Sequence, residues 1–209
     1  MPLPTFYTRA TRRSSGTLNR NDAASMLGVS RRNLDKLIDA NIVDEPISEN
    51  IINEMAHREV LAVRSGELTV LRTAARAEAY DEDREWIGFH VDYDDDQLEE
   101  TSLRWWRSDA DRVRDNRLYT VTVSTIPVAV YDITDVQGSL QRPGEQGLRY
   151  HYSGALLARL SRDPATGEVE VQYRTNDPAL HSRAKEIMTS RVVVSSGGPI
   201  GYLEAAAHE

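Results

Sequence analysis

Leu18-Asn-Arg-Asn-Asp-Ala-Ala-Ser-Met-Leu-Gly-Val-Ser-Arg-Arg-Asn-Leu-Asp-Lys-Leu-Ile-Asp-Ala-Asn-Ile42 is the stretch on which the fold reading turns. Asn19 is placed to cap a first helix, with Asp22 near its positive end. Ala23, Ala24 and Leu27 share one face, and Gly28 supplies the left-handed residue that stops the helix. Ser30 then caps a second helix, with Val29 and Leu34 at hydrophobic-staple spacing. Leu34, Leu37 and Ile38 continue the apolar face until Asn41 or Ile42-Val43 ends it. The spacing predicts a helix-turn-helix, with small Ala24 where the helices cross and Gly28 at the tight turn.

On the C-terminal side, Pro46-Ile47-Ser48 predicts a third helix start, capped by Ser48, with Ile51, Ile52 and Met55 on its apolar face. A three-helix domain over 18–58 results. Two β-rich runs, 57–64 and 67–73, surround Ser65-Gly66 and predict a hairpin, followed by a helical linker to 80. That 59–80 segment reads equally as the wing of a winged helix or as the first hairpin of the next domain. As a wing it would offer Arg64 and Arg72 to phosphate. On the N-terminal side, residues 1–17 lack an apolar period and read as a flexible basic arm. Its Arg9, Arg12 and Arg13 are available for phosphate or minor-groove contacts if DNA lies nearby.

The stretch 18–42 resembles the excisionase- and MerR-like helix-turn-helix regulators. That resemblance implies a second helix lying in the major groove and presenting Arg31, Arg32, Asn33 and Lys36. Arginine pairs bidentately with guanine and asparagine with adenine, while lysine suits phosphate. Together with Arg20, Ser30, Arg64 and Arg72, these form the expected DNA-contacting set. Two adjacent arginines at a helix start oppose the macrodipole, an arrangement that a nearby phosphate would offset. A helical hairpin that only packs or contacts protein is the alternative.

Charge supports the division. The 209 residues hold 33 acids and 25 bases, a net charge of -8, with 40% hydrophobic residues and no cysteine. Disulfides, thiolate metal sites and cysteine nucleophiles are excluded. No apolar run reaches the roughly 18 residues that span a bilayer, and the N-terminus lacks a secretory pattern, so a cytoplasmic protein without membrane contact is expected. Residues 1–43 carry seven bases and three acids, or +4, which leaves 18 bases and 30 acids, or -12, to the rest. Ten acids and one base fall within 81–100. The run Asp92-Tyr-Asp-Asp-Asp-Gln-Leu-Glu-Glu100 lacks the glycine and terminal glutamate of a calcium loop. It reads as a helix start capped by Asp94 or Asp95, or as a patch that repels DNA or docks the basic module when DNA is absent.

Residues 81–209 predict a β-rich domain. Glu85–Val91 reads as a buried strand, Leu118–Ser124 and Val128–Ile133 as a paired unit, and 148–153, 168–174 and 191–194 as further strands. A helix is expected around 178–188. Short strands with regular turns indicate a small mixed barrel. The segments Trp105-Trp106-Arg-Ser-Asp-Ala-Asp-Arg-Val113, Val128–Ile133, Arg149-Tyr-His-Tyr-Ser-Gly154 and Gly197-Gly-Pro-Ile-Gly-Tyr202 resemble a PUA-like barrel. That resemblance implies a face reading a nucleic acid or a modified base. Trp105, Trp106, Tyr150 and Tyr152 are then candidates for stacking, or else core of a small barrel.

The class expected is therefore α+β, an N-terminal (winged) helix-turn-helix followed by a small mixed β-barrel. Five scattered histidines offer no ligand spacing for zinc, and neither a P-loop nor a nucleophile elbow is present. No catalytic residue, metal or cofactor is expected. The expected function is a sequence-specific, repressor-type regulator of transcription, with double-stranded DNA as partner and a homodimer where the operator is symmetric. The alternatives are a nucleic-acid-processing or defence factor whose barrel reads a modified base, and an excisionase-like recombination accessory protein.

Overall fold

The computed structural model describes residues 16–80 and 84–205, so the expected basic arm lies outside it except for Gly16 and Thr17. The N-terminal unit contains β1 (Thr17–Leu18), α1 (Arg20–Leu27), α2 (Arg31–Asp39), β2 (Ile47–Ser48) and α3 (Glu49–Ala56). The short strands β1 and β2 pair antiparallel, Leu18 opposite Ile47, and hold the two ends of the unit together. Ala23, Leu27, Leu34, Leu37 and Ile52 are buried between the helices. Ser48 stands at the start of α3 as expected, but its side chain makes no capping hydrogen bond.

Then come β3 (Glu67–Thr73), β4 (Ala77–Glu78), β5 (Trp86–Ile87), α4 (Asp95–Leu103), β6 (Trp106–Arg107) and α5 (Ala110–Asn116). The body finishes with β7 (Leu118–Val123), β8 (Ile126–Leu140), β9 (Arg149–Arg162), β10 (Val169–Tyr173), α6 (Pro178–Met188) and β11 (Ile200–Glu204). The main sheet runs β10-β9-β8-β7-β3-β11, with β6 joined to β9. Among the described strands of this sheet β3 and β7 alone pair in parallel, with Leu71 opposite Val121. The sheet curls into a half-barrel and leaves β10 and β11 as separate edges. The expected barrel is therefore open.

Strand periodicity sends alternate side chains to opposite faces. Tyr119 points towards α4, its hydroxyl donating to the Ser102 carbonyl at 3.0 Å. On the other face, Ile187 of α6 shares a cleft with Leu68 and Leu118. Asp94 caps α4 through a capping box with Gln97, as the acidic run predicts, and Leu98 and Leu103 turn inward.

The 59–73 hairpin does not form. Residues 59–66 make only isolated bridges, Val60 with Arg191 and Val63 with Ala205, while β3 lies inside the sheet between β7 and β11. Four consecutive buried residues, Leu68 to Leu71, suit an interior strand far better than a solvated wing. Arg72 sits on this strand and not on a wing. The expected helix at 74–80 is replaced by the β4–β5 ribbon, where Gly88 adopts φ +92° and a Cβ would stand 2.3 Å from the Ala75 carbonyl oxygen. Residues 191–194 run beside the sheet without forming a strand.

Candidate nucleic-acid interface and its flanking cleft

The helix pair is built by local chemistry. The Asn19 side chain accepts from the N–H groups of Asn21 and Asp22 at 2.9 and 3.0 Å. Gly28 adopts φ +65°, and the Val29 N–H returns to the Ala24 carbonyl at 3.0 Å. The Ser30 hydroxyl accepts from Asn33 N–H at 3.3 Å to start α2. The free end of α2 therefore follows a turn whose shape is set by one glycine and one serine.

Charge is distributed unevenly over this end. Arg20 forks onto Glu45, with both hydrogen bonds at 2.7 Å, and reaches Asp35 at 3.0 Å. These acids hold its guanidinium firmly protonated, and Arg20 in turn holds the Glu45 carboxyl below its ordinary range. Arg31 donates to the Asn21 side chain at 2.8 Å and pairs with Asp35 at 3.4 Å. Arg32 is exposed, and among the described residues neither Arg32 nor Lys36 has an ion-pair partner.

The N-terminal unit meets the body along one side of α2. The Ser124 hydroxyl, in the β7–β8 turn, donates to the Asn33 carbonyl at 2.7 Å. Val91 N–H donates to the Ala40 carbonyl at 3.1 Å. Arg162 binds the Asn41 carbonyl and both Asp44 carboxylate oxygens. Among the described residues the acidic patch makes no ion pair with α2. Asp92 pairs with Arg162 at 3.6 Å, and Asp95 pairs with Arg159 at 2.7 Å and with Arg174 at 3.4 Å. The contact runs from basic body to acidic loop, opposite in polarity to the expected one.

The expected DNA set is thus divided. Ser30, Arg31 and Arg32 stand at the open end of α2, while Asn33 and Lys36 line a cleft of about 580 Å³ between α2 and the body. Arg72 lines the same cleft and donates to the carbonyls of Ser196, at 2.7 Å, and Gly198. Arg20 is occupied by its acids. Arg64 borders another cleft, beside Arg183 and Glu186.

The aromatic set is divided as well. Tyr152 is fully buried, its hydroxyl 2.6 Å from that of Ser108, and Trp106 is buried beneath the Arg84 guanidinium. Neither ring is open to a base in this arrangement. Tyr150 and Tyr152 share a face with centroids 6.4 Å apart, whereas His151 meets Trp105 edge-on at 5.6 Å. Trp105 and Tyr150 are half-buried.

Among the described residues no three His, Asp or Glu side chains are grouped to hold a metal ion. No described helix is long and apolar enough to cross a membrane. Comparison with known families, characterised proteins and solved structures returns no match. The cleft was missed in the sequence because its walls come from distant segments. Gly198 and Pro199, from the Ser195-Ser-Gly-Gly-Pro199 loop, form part of its wall.

Proposed function

We propose that the protein binds double-stranded DNA in a sequence-specific manner and acts as a repressor-type regulator, with α2 entering the major groove by its N-terminal turn. The observation that carries this reading is Arg32, exposed at the start of α2 with no acidic partner among the described residues. A cation there opposes the helix dipole, and Arg31 beside it is already paired; an external anion would offset that opposition. Recognition helices of this class read bases from their N-terminal residues, the part of α2 that the body leaves open. In this reading Arg32 and Ser30 contact DNA first, and Lys36 follows at the cleft margin. Arg20 positions Asp35 and the loop at Glu45, and touches no base.

The test is a random-duplex binding selection followed by footprinting of the enriched sequence. Discrete protection that Arg32→Ala weakens by about 1–3 kcal/mol supports base reading by that residue. No enrichment above random sequence overturns it. The modified-base reading is less well supported, because two of its four rings are packed in the core.

A further inference from the structure

The cleft beside α2 combines three features, of which the DNA reading uses only Lys36, at the cleft margin. First, Lys36 and Arg72 both line it, and no described Asp or Glu does, although the chain carries a net charge of -8. Second, its remaining lining is mixed: Asn33, Ser124 and Thr125 supply polar groups, while Ile87, Val193 and Val194 supply apolar wall. Third, two lining residues hold buried polar atoms with no described hydrogen-bond partner, the Thr125 hydroxyl and the Trp106 indole N–H. Trp106 is only 5% exposed, so its unpaired donor is shut off from bulk water. A buried polar group without a partner in a native fold calls for a ligand, a water or strain relief elsewhere.

The turn at the edge of the cleft adds backbone strain. Ser124 and Thr125 have φ of +50° and +76°, conformations that a β-branched residue such as threonine strongly disfavours. Residues held in such conformations concentrate at ligand clamps. The volume of about 580 Å³ lies within the range of small-molecule sites.

We propose that this cleft binds a small organic anion, a carboxylate or phosphate carried on an apolar body, with Lys36 and Arg72 as its counter-charges. A DNA phosphate shares the charge but presents no apolar body to Ile87, Val193 and Val194, which favours a free small molecule. The site shares Lys36 with the DNA reading, whereas Arg72 and the apolar wall belong to the cleft alone.

The full chain is titrated calorimetrically, without DNA, with benzoate, phenyl phosphate and neutral benzyl alcohol. Saturable one-to-one binding of an anion, at least about tenfold tighter than benzyl alcohol, is expected, since a charge-assisted hydrogen bond is worth that much. Benzoate against phenyl phosphate separates the two head groups. Lys36→Gln weakens binding at least about tenfold. Val193→Glu, at a half-exposed wall position, abolishes it by bringing an acid into the cleft. Arg32→Ala leaves it unchanged, so loss of DNA binding and loss of anion binding are separable. The proposal is overturned if neither anion saturates at millimolar concentration, or if binding survives both Lys36→Gln and Val193→Glu in folded protein.

Discussion

Arg162 at the end of β9 binds both carboxylate oxygens of Asp44, at 2.8 and 3.1 Å, and joins the helical unit to the sheet across 118 residues of chain. The same guanidinium donates to the Asn41 carbonyl at 3.1 Å, so one side chain holds the exit of α2 in place. Half-exposed Asp44 limits the ion pair itself, and the backbone bonds contribute more. Arg162→Ala is expected to lower stability by about 1 kcal/mol. Hydrogen exchange should quicken first in α1 to α3 and little in β7 or β8. Uniform quickening across the sheet would show that the unit does not open separately.

Arg159 is a different case, since it is 2% exposed. Its charge is met by Asp95 at 2.7 Å, and it donates to the carbonyls of Tyr93, Val91 and Leu160. Removing it takes the Arg159 donors from the Tyr93 and Val91 carbonyls and leaves a cavity. Arg159→Ala should therefore cost about 3–5 kcal/mol in urea unfolding. Arg159→Lys should recover little, because an ammonium lacks the planar fork that reaches several acceptors. Full recovery by lysine would show that charge alone matters here.

The β7–β8 turn offers the opposite sign. Two-residue hairpin turns with positive φ at both positions favour Asn-Gly, yet here they are Ser124 and Thr125. Glycine at 125 relieves the left-handed strain, against a smaller entropic cost in the unfolded chain. Thr125→Gly is expected to raise stability by about 1 kcal/mol, read as a higher denaturant midpoint at constant m-value. A lower midpoint would mean that the threonine side chain makes a stabilising contact outweighing the strain.

Short-range chemistry made α1, α2, α4 and α6 legible. Asn19, Ser30, Asp94 and Asp177 each accept from backbone N–H groups within three residues, and Gly28 ends α1 as its φ requires. The place of β3 was not legible. Ser65-Gly66 carries a local turn signal, whereas the pairing of β3 with β7 joins Thr69 to Tyr119 in parallel. No adjacent sequence encodes such a partner. The same limit hid the cleft, since Lys36, Arg72 and Val193 line it from segments far apart in the sequence. Regional charge was equally partial. The +4 of the first 43 residues is local arithmetic, but Glu45, just beyond them, neutralises Arg20.

Two histidines set the expected pH response. Burial lowers the pKa of His90, with Arg76 nearby adding to the shift, and burial followed by Arg104 lowers that of His151. A histidine depressed in the folded state binds more protons when unfolded, so stability rises with pH through the window. The contribution is present above the ordinary histidine pKa of about 6.5 and is lost as pH falls towards the depressed folded values. Stability should decline as pH falls below about 6.5, before carboxylates near about 4.3 take effect. The double variant His90→Gln and His151→Gln should flatten that decline. An unchanged slope would place the titrating group elsewhere.

Arg20 and Arg32 separate stability from recognition. Arg20 joins α1 to Glu45 and to Asp35 of α2, so Arg20→Ala should lower the denaturant midpoint and release Arg31 to compete for Asp35 differently. Arg32 has no such partner among the described residues, so Arg32→Ala should leave the midpoint unchanged. On a selected duplex the order reverses. Arg32→Ala should cost about 1–3 kcal/mol of specific affinity, with relaxed preference at one base position. If Arg32 touches phosphate instead, the loss is uniform across sequences and the salt dependence falls by about one counterion. Equal losses of DNA affinity for Arg20→Ala and Arg32→Ala, at matched folded fractions, would show that α2 does not enter the groove by its N-terminal turn.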